Sequence, residues 1–266
     1  MMTFEFSIAR SERFGFSHDR GSTHMARTMM LNELRQLLDA VQLSSAPAEA
    51  YVQAIEQNNC LGKRSSRTRA LTRRHLADLY SLDPDAALFR TLRYIWQRDP
   101  DGRPLIACLG ACARDSVLRT SAEFILKVHE AQPFSREALE EYLEEQYPGR
   151  FSKATLKSTA QNLASTWTQS GHLTGRVKKM RARATATPGS TAYALFLGFL
   201  SGERGETLFE STYVRLLDCS FERAIELAES ASRRGWIVFK RVSSVIEVVF
   251  PALLTEREME WIREQS

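Results

Sequence analysis

The sequence lacks the features that mark a secreted, disulfide-stapled or membrane-spanning protein. Its 266 residues contain only four cysteines, which are scattered and too few for a disulfide framework. It has no run of about eighteen apolar residues, and residues 1–20 alternate apolar with polar side chains instead of forming a signal-peptide core. We therefore expect a protein of the reducing cytoplasm that is neither exported nor inserted into a membrane.

Motifs of catalysis and cofactor binding are also missing. The five histidines are isolated from one another, no HExxH pair occurs, and no nucleophile motif surrounds a serine or cysteine. Cys108 and Cys112 would share a helix face, but a metal needs further ligands, and their small apolar neighbours favour a buried helix. We expect a protein that is not an enzyme and has no cofactor, metal or small-molecule substrate.

Helical patterns, in contrast, are abundant. An apolar content of 43% is ordinary for globular domains, so bulk disorder is not expected. Apolar residues recur at helical spacing, and Ser, Pro and Gly mark the segment ends. The pattern predicts helices over about residues 25–41, 47–57, 66–80, 84–98, 104–114, 119–131, 135–146 and 152–167.

The last two of these helices precede a short basic stretch. Gly171 and Gly175 bracket its start, Pro188 and Gly189 end it, and alternating side chains between them suit extended chain. Helix, turn, helix and basic ribbon follow one another in the order of a winged helix. We assign the basic stretch to a flexible wing that faces solvent.

The C-terminal part repeats this order. The pattern predicts helices at 191–200, near 210–217 and from a cap at Ser220 to Gly235, a usual position for a C-terminal glycine. Two β-rich runs, 236–242 and 245–250, then predict a hairpin. This hairpin would be the wing of a second winged helix.

The sequence thus predicts a mainly α fold, with a helical N-terminal bundle, helix-turn-helix or winged-helix units and short β wings. We predict three domains. They are a helix-turn-helix-like helical domain over 1–83, a helical and winged-helix domain with a basic wing over 84–189, and a C-terminal winged-helix domain over 190–266.

Positive charge is concentrated in two segments, although the net charge is only +4. Residues 57–77 and 146–202 contain no acidic residue. DNA carries one phosphate charge per roughly 1.7 Å, so clustered cations gain affinity by releasing its counterions. We predict nucleic-acid contacts at Lys63, Arg64, Arg67, Arg69, Arg73 and Arg74, and at Arg150, Lys153, Lys157, Gln161, Arg176, Lys178, Lys179, Arg181 and Arg183.

Two alternatives stay open for these charges. The first cluster could brace a turn, with an acidic partner from the distant helix that carries Glu140, Glu141 and Glu144. The C-terminal unit carries Glu222 and other acidic residues on its predicted recognition helix, so it could equally bind protein.

A family resemblance accompanies these patterns. The stretch AYVQAIEQNNCLGKRSSRTRALTRRHLADLYSL resembles the hallmark of the BrxA-type family, accessory proteins of BREX phage-defence systems. The hallmark residues are Asn59, Leu61, Lys63, Arg64, Ser65 and Thr68. The resemblance continues through RPLIACLGACARDSVLRTSAEFIL and FSKATLKSTAQNLASTWTQSGHL, and covers about residues 25–175.

The resemblance implies a helical, winged-helix-containing protein without enzymatic activity that binds double-stranded DNA within a multi-gene defence system. Methyltransferase and phosphatase-like proteins would be its partners. The C-terminal unit is longer than the family leads us to expect. The resemblance and the basic clusters together favour a DNA-binding accessory protein that contacts phosphates. The alternatives are a scaffold that binds partner proteins, or an RNA-binding protein, in the same kind of assembly.

Overall fold

A computed structural model describes residues 11–18, 21–43, 45–243, 245–251 and 253–263. The chain is mainly helical, at 59% helix, with two small antiparallel sheets, as the sequence predicts. No helix within these ranges is long and apolar enough to cross a membrane. The helices are α1 (Leu31–Ala40), α2 (Ala48–Val52), α3 (Ser66–Tyr80), α4 (Ala87–Arg98), α5 (Arg103–Arg114), α6 (Ser116–Lys127), α7 (Arg136–Gln146), α8 (Lys153–Gln169), α9 (Pro188–Leu200), α10 (Thr207–Glu210), α11 (Thr212–Arg215), α12 (Phe221–Arg233) and α13 (Glu256–Arg263). The strands are β1 (Leu173–Thr174), β2 (Met180–Arg181), β3 (Val238–Val242) and β4 (Val245–Val249).

Serine caps fix several helix starts where the sequence predicts them. Ser65, Ser152 and Ser220 precede α3, α8 and α12, and each side chain accepts the backbone N–H of the third residue after it at 3.2 Å. Helix α3 occupies the predicted range, and the hairpin of β3 and β4 pairs Val242 with Val245 across the predicted turn.

The main differences from the predicted helices concern α1, the segment 207–215 and α13. Helix α1 begins at Leu31, because Thr23–Met25 forms a 3-10 turn and Met30 takes a left-handed conformation with a φ of 54°. The helix expected near 210–217 is divided into α10 and α11, because Ser211 is extended and caps the second of them. Helix α13 was not predicted.

Helix α9 lies at the centre of the core. All of its residues from Gly189 to Leu200 are buried, and it packs against α4, α5, α11 and α12. A helix that is apolar on every side needs such surroundings. The buried side chains form one core that crosses residues 83 and 189, so the division into three domains stays a prediction.

A buried carboxylate holds the start of α9. Asp99, after the end of α4, accepts the N–H of Gly189 at 2.7 Å. A β-carbon on Gly189 would lie 2.3 Å from this carboxylate oxygen, so glycine is required there. The negative charge also suits the positive end of the helix dipole.

Another buried carboxylate, that of Asp115, ties three distant segments together. His24 is fully buried, with Nδ1 2.9 Å from Asp115 Oδ2 and Nε2 3.0 Å from the Thr166 hydroxyl of α8. Asp115 also accepts the Thr23 N–H and caps α6. The 3-10 turn is therefore fixed between the α5–α6 junction and α8.

The charge balance of this tie depends on His24. Burial alone would raise the pKa of Asp115, but the charge and hydrogen bond of His24, with hydrogen bonds from the Leu118 N–H and the Ser22 hydroxyl, lower it from 3.8 to about 2. A lowered carboxyl pKa stabilises the fold above the unfolded-state pKa. This stabilisation is complete above about pH 4 and is lost as the pH falls through about 2.

Asp115→Asn should lower the free energy of unfolding by about 3–5 kcal/mol at neutral pH, because it leaves buried donors without their anion. Urea unfolding followed by circular dichroism measures the change, and the difference from the native protein should shrink towards pH 2. The matched control is Asp78→Asn, since Asp78 is exposed. Equal stability of the two variants would contradict the role of the tie.

Candidate nucleic-acid interface

A small hairpin follows α8 directly. Strand β1 pairs antiparallel with β2, and Pro133, which precedes α7, forms an isolated bridge to Met180 of β2. The loop between the strands needs Gly175, which has a φ of +90° and whose β-carbon would lie 2.2 Å from the Lys178 carbonyl oxygen. Helices α7 and α8 are thus joined to a two-stranded ribbon that is fixed at its base.

Helix α8 presents a polar stripe to solvent. Lys153, Lys157 and Gln161 are exposed and lie four residues apart, which places them on one helix face. Neither lysine has a carboxylate partner in the described part of the chain. Ser158 and Asn162 are less free, because they donate to the carbonyls of Met25 and His24 at 3.4 and 2.9 Å. The Lys153–Gln161 stripe is therefore the face of α8 open to a ligand.

The cations of the hairpin loop differ in exposure. Arg176 and Lys178 are exposed on either side of Val177, which is 93% exposed. Lys179 is half-buried and donates to the Thr168 hydroxyl at 2.7 Å, and burial lowers its pKa. Arg176 and Lys178 are the cations that the loop offers to an external anion.

Arg181 corrects our prediction that the whole basic stretch faces solvent. Its side chain is 5% exposed and donates to both carboxylate oxygens of Asp218, at 2.7 and 2.8 Å, and to the Ile125 carbonyl. Asp218 lies 37 residues later in the sequence. Nothing in the sequence pointed to this partner, because the basic stretch itself contains no acidic residue. Arg181 therefore braces the hairpin base.

A buried histidine lies beside this ion pair. His172 Nε2 is 3.0 Å from the Leu216 carbonyl, and Nδ1 is 2.8 Å from the Ser170 hydroxyl. Burial lowers its pKa to about 4, against the opposing effect of Asp218. His172 is thus neutral near pH 7 and, with Arg181, connects the hairpin to the turn before α12.

The cations of the first basic cluster, residues 63–74, also differ: some pair with a carboxylate and others are exposed to solvent. Lys63 pairs with Glu33 at 3.1 Å, and Arg73 pairs with Glu56, so the acidic helix α7 is not the partner that we considered. The remaining members are Arg64 and Arg67, exposed and without a carboxylate partner in the described ranges, Arg69, which is half-buried, and Arg74, whose Nε lies 4.0 Å from Asp78.

The 3-10 turn packs against both α3 and α8, and the segment just after it contains Arg27, a cation that the sequence analysis did not single out. Arg27 is exposed, and after burial its charge is the largest influence that lowers the pKa of His75 on α3. A polar cleft of about 470 Å³ between the turn and α3 includes Arg74 and Met25 in its lining. Only the fold brings Arg27 near both basic clusters.

Two other predicted residues have local partners. Arg150 stacks on the rings of Tyr147 and Phe151, with its guanidinium carbon 4.7 and 5.0 Å from their centres. Arg183 is exposed and pairs with Glu130 at 3.0 Å. Such exposed pairs contribute little to stability, so Arg183 can exchange this partner for another anion.

The C-terminal unit offers fewer free cations. On α12, Arg223 pairs with Glu226 at 2.7 Å, and Arg233 lies 3.8 Å from Glu229. On the hairpin of β3 and β4, Lys240 lies 3.5 Å from Glu247. The second hairpin also ends in two exposed apolar side chains, Val242 at 75% and Val245 at 69%. This surface is mixed in charge and partly apolar.

The described residues contain no group of three or more His, Cys, Asp or Glu side chains that could hold a metal ion. Cys108 and Cys112 lie buried on α5, as their apolar surroundings predict. Comparison with models of known protein families finds no match, and comparison with curated proteins finds no similar sequence.

Removing the buried cation of the first hairpin should affect stability differently from removing its exposed cations. Arg181→Ala should lower the free energy of unfolding by about 3–5 kcal/mol, because it leaves the Asp218 carboxylate half-buried without its partner. The double variant Arg176→Ala, Lys178→Ala should change it by no more than about 0.5 kcal/mol, since both side chains are exposed. Urea unfolding compares them, and the reverse order would refute the assignment of Arg181 to the core.

Proposed function

We propose that this protein binds double-stranded DNA without catalysing a reaction on it. The binding surface, here called the basic surface, is formed by exposed basic and polar side chains of α3 and the residues just before it, the segment after the 3-10 turn, α8 and the first hairpin. Its members are Arg64, Arg67, Arg27, Lys153, Lys157, Gln161, Arg176 and Lys178. Arg69, Arg74, Arg150, Lys179 and Arg183 lie on its margins, and Lys63, Arg73 and Arg181 serve the fold.

The observation that carries this proposal is the division of the cations. Arg181, Lys63 and Arg73 have carboxylate partners, whereas Lys153, Lys157 and Arg176 extend into solvent with none in the described ranges. Exposed cations without internal partners gain most from the phosphates of a polyanion, because each contact releases condensed counterions.

The order of elements supports a duplex as the ligand. Helix α6, the bridging residue Pro133, helices α7 and α8, and the hairpin of β1 and β2 follow one another as in a winged helix, with α8 in the place of the recognition helix. An α-helix fits the major groove of B-form DNA, whereas the deep, narrow major groove of double-stranded RNA excludes it. DNA is therefore favoured over RNA.

Most of the proposed contacts carry no sequence information. Lysines and arginines reach phosphates, and Gln161 is the one member of the basic surface whose side-chain amide suits two hydrogen bonds to an adenine edge. We therefore propose similar affinity for duplexes of unrelated sequence. The resemblance to BrxA-type proteins supports a role beside other proteins of a bacterial phage-defence system.

A protein partner is the second candidate, and it concerns the C-terminal unit. Its α12 carries Glu222, Glu226 and Glu229, which would repel phosphates, and its hairpin exposes Val242 and Val245. Those features favour a protein over a nucleic acid as the ligand of the C-terminal unit. Under this proposal the chain would hold DNA at one side and a defence protein at the other.

The double charge reversal Lys153→Glu, Lys157→Glu should weaken binding to a short duplex by about 1–3 kcal/mol and reduce the salt dependence by about two contacts. Fluorescence anisotropy at several salt concentrations measures both quantities. The matched control is Lys240→Glu, Arg241→Glu on the second hairpin, which makes the same change in net charge and should leave affinity within about twofold.

Two outcomes of this titration would refute the proposal. One is the absence of any complex with the native protein at low salt and micromolar concentration. The other is an equal loss of affinity in both double variants, which would indicate a response to net charge alone. A double-stranded RNA of the same length, added as competitor, should displace the DNA poorly.

A further inference from the structure

A second pocket lies where the end of α1 faces α4 and the start of α5. Its volume is about 320 Å³, and its lining includes Asp39, Arg93, Trp96 and Arg103. None of these residues belongs to the basic surface. Three of them carry donors, and their partners indicate what the pocket would accept.

Arg93 is buried without a carboxylate to balance its charge. Its side chain is 2% exposed and donates to the Tyr51 hydroxyl and, at 2.7 Å, to the Val41 carbonyl, which are both neutral acceptors. No acidic side chain in the described ranges pairs with it. Buried charges are ordinarily paired, because an unpaired one costs several kcal/mol.

Helix α1 compensates only part of this charge. Val41 follows the last residue of α1, so the guanidinium lies near the negative end of the helix dipole, which is equivalent to about half an elementary charge. The guanidinium also has more N–H groups than these two acceptors use. A remainder of positive charge therefore borders the pocket.

Two further donors border the same pocket. Arg103 donates through Nε to the Trp96 carbonyl at 3.1 Å, has its guanidinium carbon 5.4 Å from the centre of the Trp96 ring, and has no carboxylate partner in the described part of the chain. The indole N–H of Trp96 is buried and has no acceptor. Buried donors without acceptors are rare in folded proteins.

We infer that this pocket binds the carboxylate group of a molecule of about amino-acid size. Guanidinium groups recognise carboxylates through paired hydrogen bonds, and the indole N–H would supply another. Asp39 is exposed at the same pocket and would repel a doubly charged phosphate, whereas it can accept from an N–H group of the ligand. The site thus favours a single negative charge beside a polar donor.

The carboxylate can come from a free small molecule or from the C-terminus of a peptide. N-acetylglycine represents the first source and N-acetylglycinamide is its neutral match; a tetrapeptide with a free or an amidated C-terminus represents the second. Thermal unfolding of the full chain at constant ionic strength in chloride compares them, with inorganic phosphate as the test for anions in general. Tryptophan fluorescence provides a second readout, and because the chain has four tryptophans, the part due to Trp96 is the part lost in Trp96→Phe.

We expect a saturable rise in Tm with N-acetylglycine or the free peptide, and none with the amides. Arg103→Gln, at a half-buried position, should weaken this response at least tenfold, and Trp96→Phe, which keeps the ring and removes the N–H, should weaken it in the same direction. If Arg103→Gln does not fold, Trp96→Phe alone decides. The pocket and the DNA site are independent, so Arg103→Gln should bind DNA as the native protein does.

Three results would overturn the inference. They are equal Tm values with acids and amides, a stronger effect of phosphate than of carboxylate, and an unchanged response in the folded Arg103 and Trp96 variants. A carboxylate response in a protein that fails to bind DNA would refute the proposed function while leaving this inference intact.

Discussion

The buried contact between His24 and Asp115 is the constraint on which the rest of the arrangement depends. It joins residues 91 positions apart, and the second hydrogen bond of His24 reaches Thr166, 142 positions away. Because Asp115 also starts α6, one carboxylate sets the relative positions of the 3-10 turn, α6 and α8. Because the 3-10 turn contacts both α3 and α8, the segment after it, with Arg27, starts between these two helices. Loss of this contact would release the 3-10 turn from Asp115.

Thr166, His24 and Asp115 have the hydrogen-bond order of a catalytic triad, but their burial gives them another role. The Thr166 hydroxyl is buried and accepts the Met29 N–H at 2.9 Å, so one of its two lone pairs is engaged and its oxygen does not face solvent. All three side chains are buried, so the arrangement is accounted for as a brace between segments. In an open cleft such hydrogen bonds activate a nucleophile, whereas here they satisfy buried polar groups.

The pair of Arg181 and Asp218 shows that arginines of one hairpin can have two roles, one in the fold and one at the surface. Arg181 and Arg176 lie in one short hairpin, yet the first is buried against a carboxylate and the second is exposed. Desolvation makes the buried pair costly to break, whereas solvent keeps Arg176 available for an external anion. The hairpin can therefore be held firmly at its base while its tip stays open to a ligand.

Local patterns let the sequence predict much of the fold. The start of α3 at Ser66, the starts of α8 and α12 after Ser152 and Ser220, and the hairpin of β3 and β4 depend on neighbours within a few residues, and these predictions were confirmed. The roles of Arg181 and His24 depend on partners 37 and 91 residues away, which no periodicity reveals. The sequence thus predicted where the positive charge is concentrated. It could not predict which of these cations are exposed, because burial and distant partners decide that.

Lysine acetylation, followed by mass spectrometry with and without a short DNA duplex, tests whether DNA binds to the basic surface, since the chain carries exposed lysines both inside and outside it. DNA should protect Lys153, Lys157 and Lys178 from modification together, while Lys240 on the second hairpin should react as it does in the free protein. Protection of Lys240 with unchanged modification of the other three would contradict DNA binding at the basic surface.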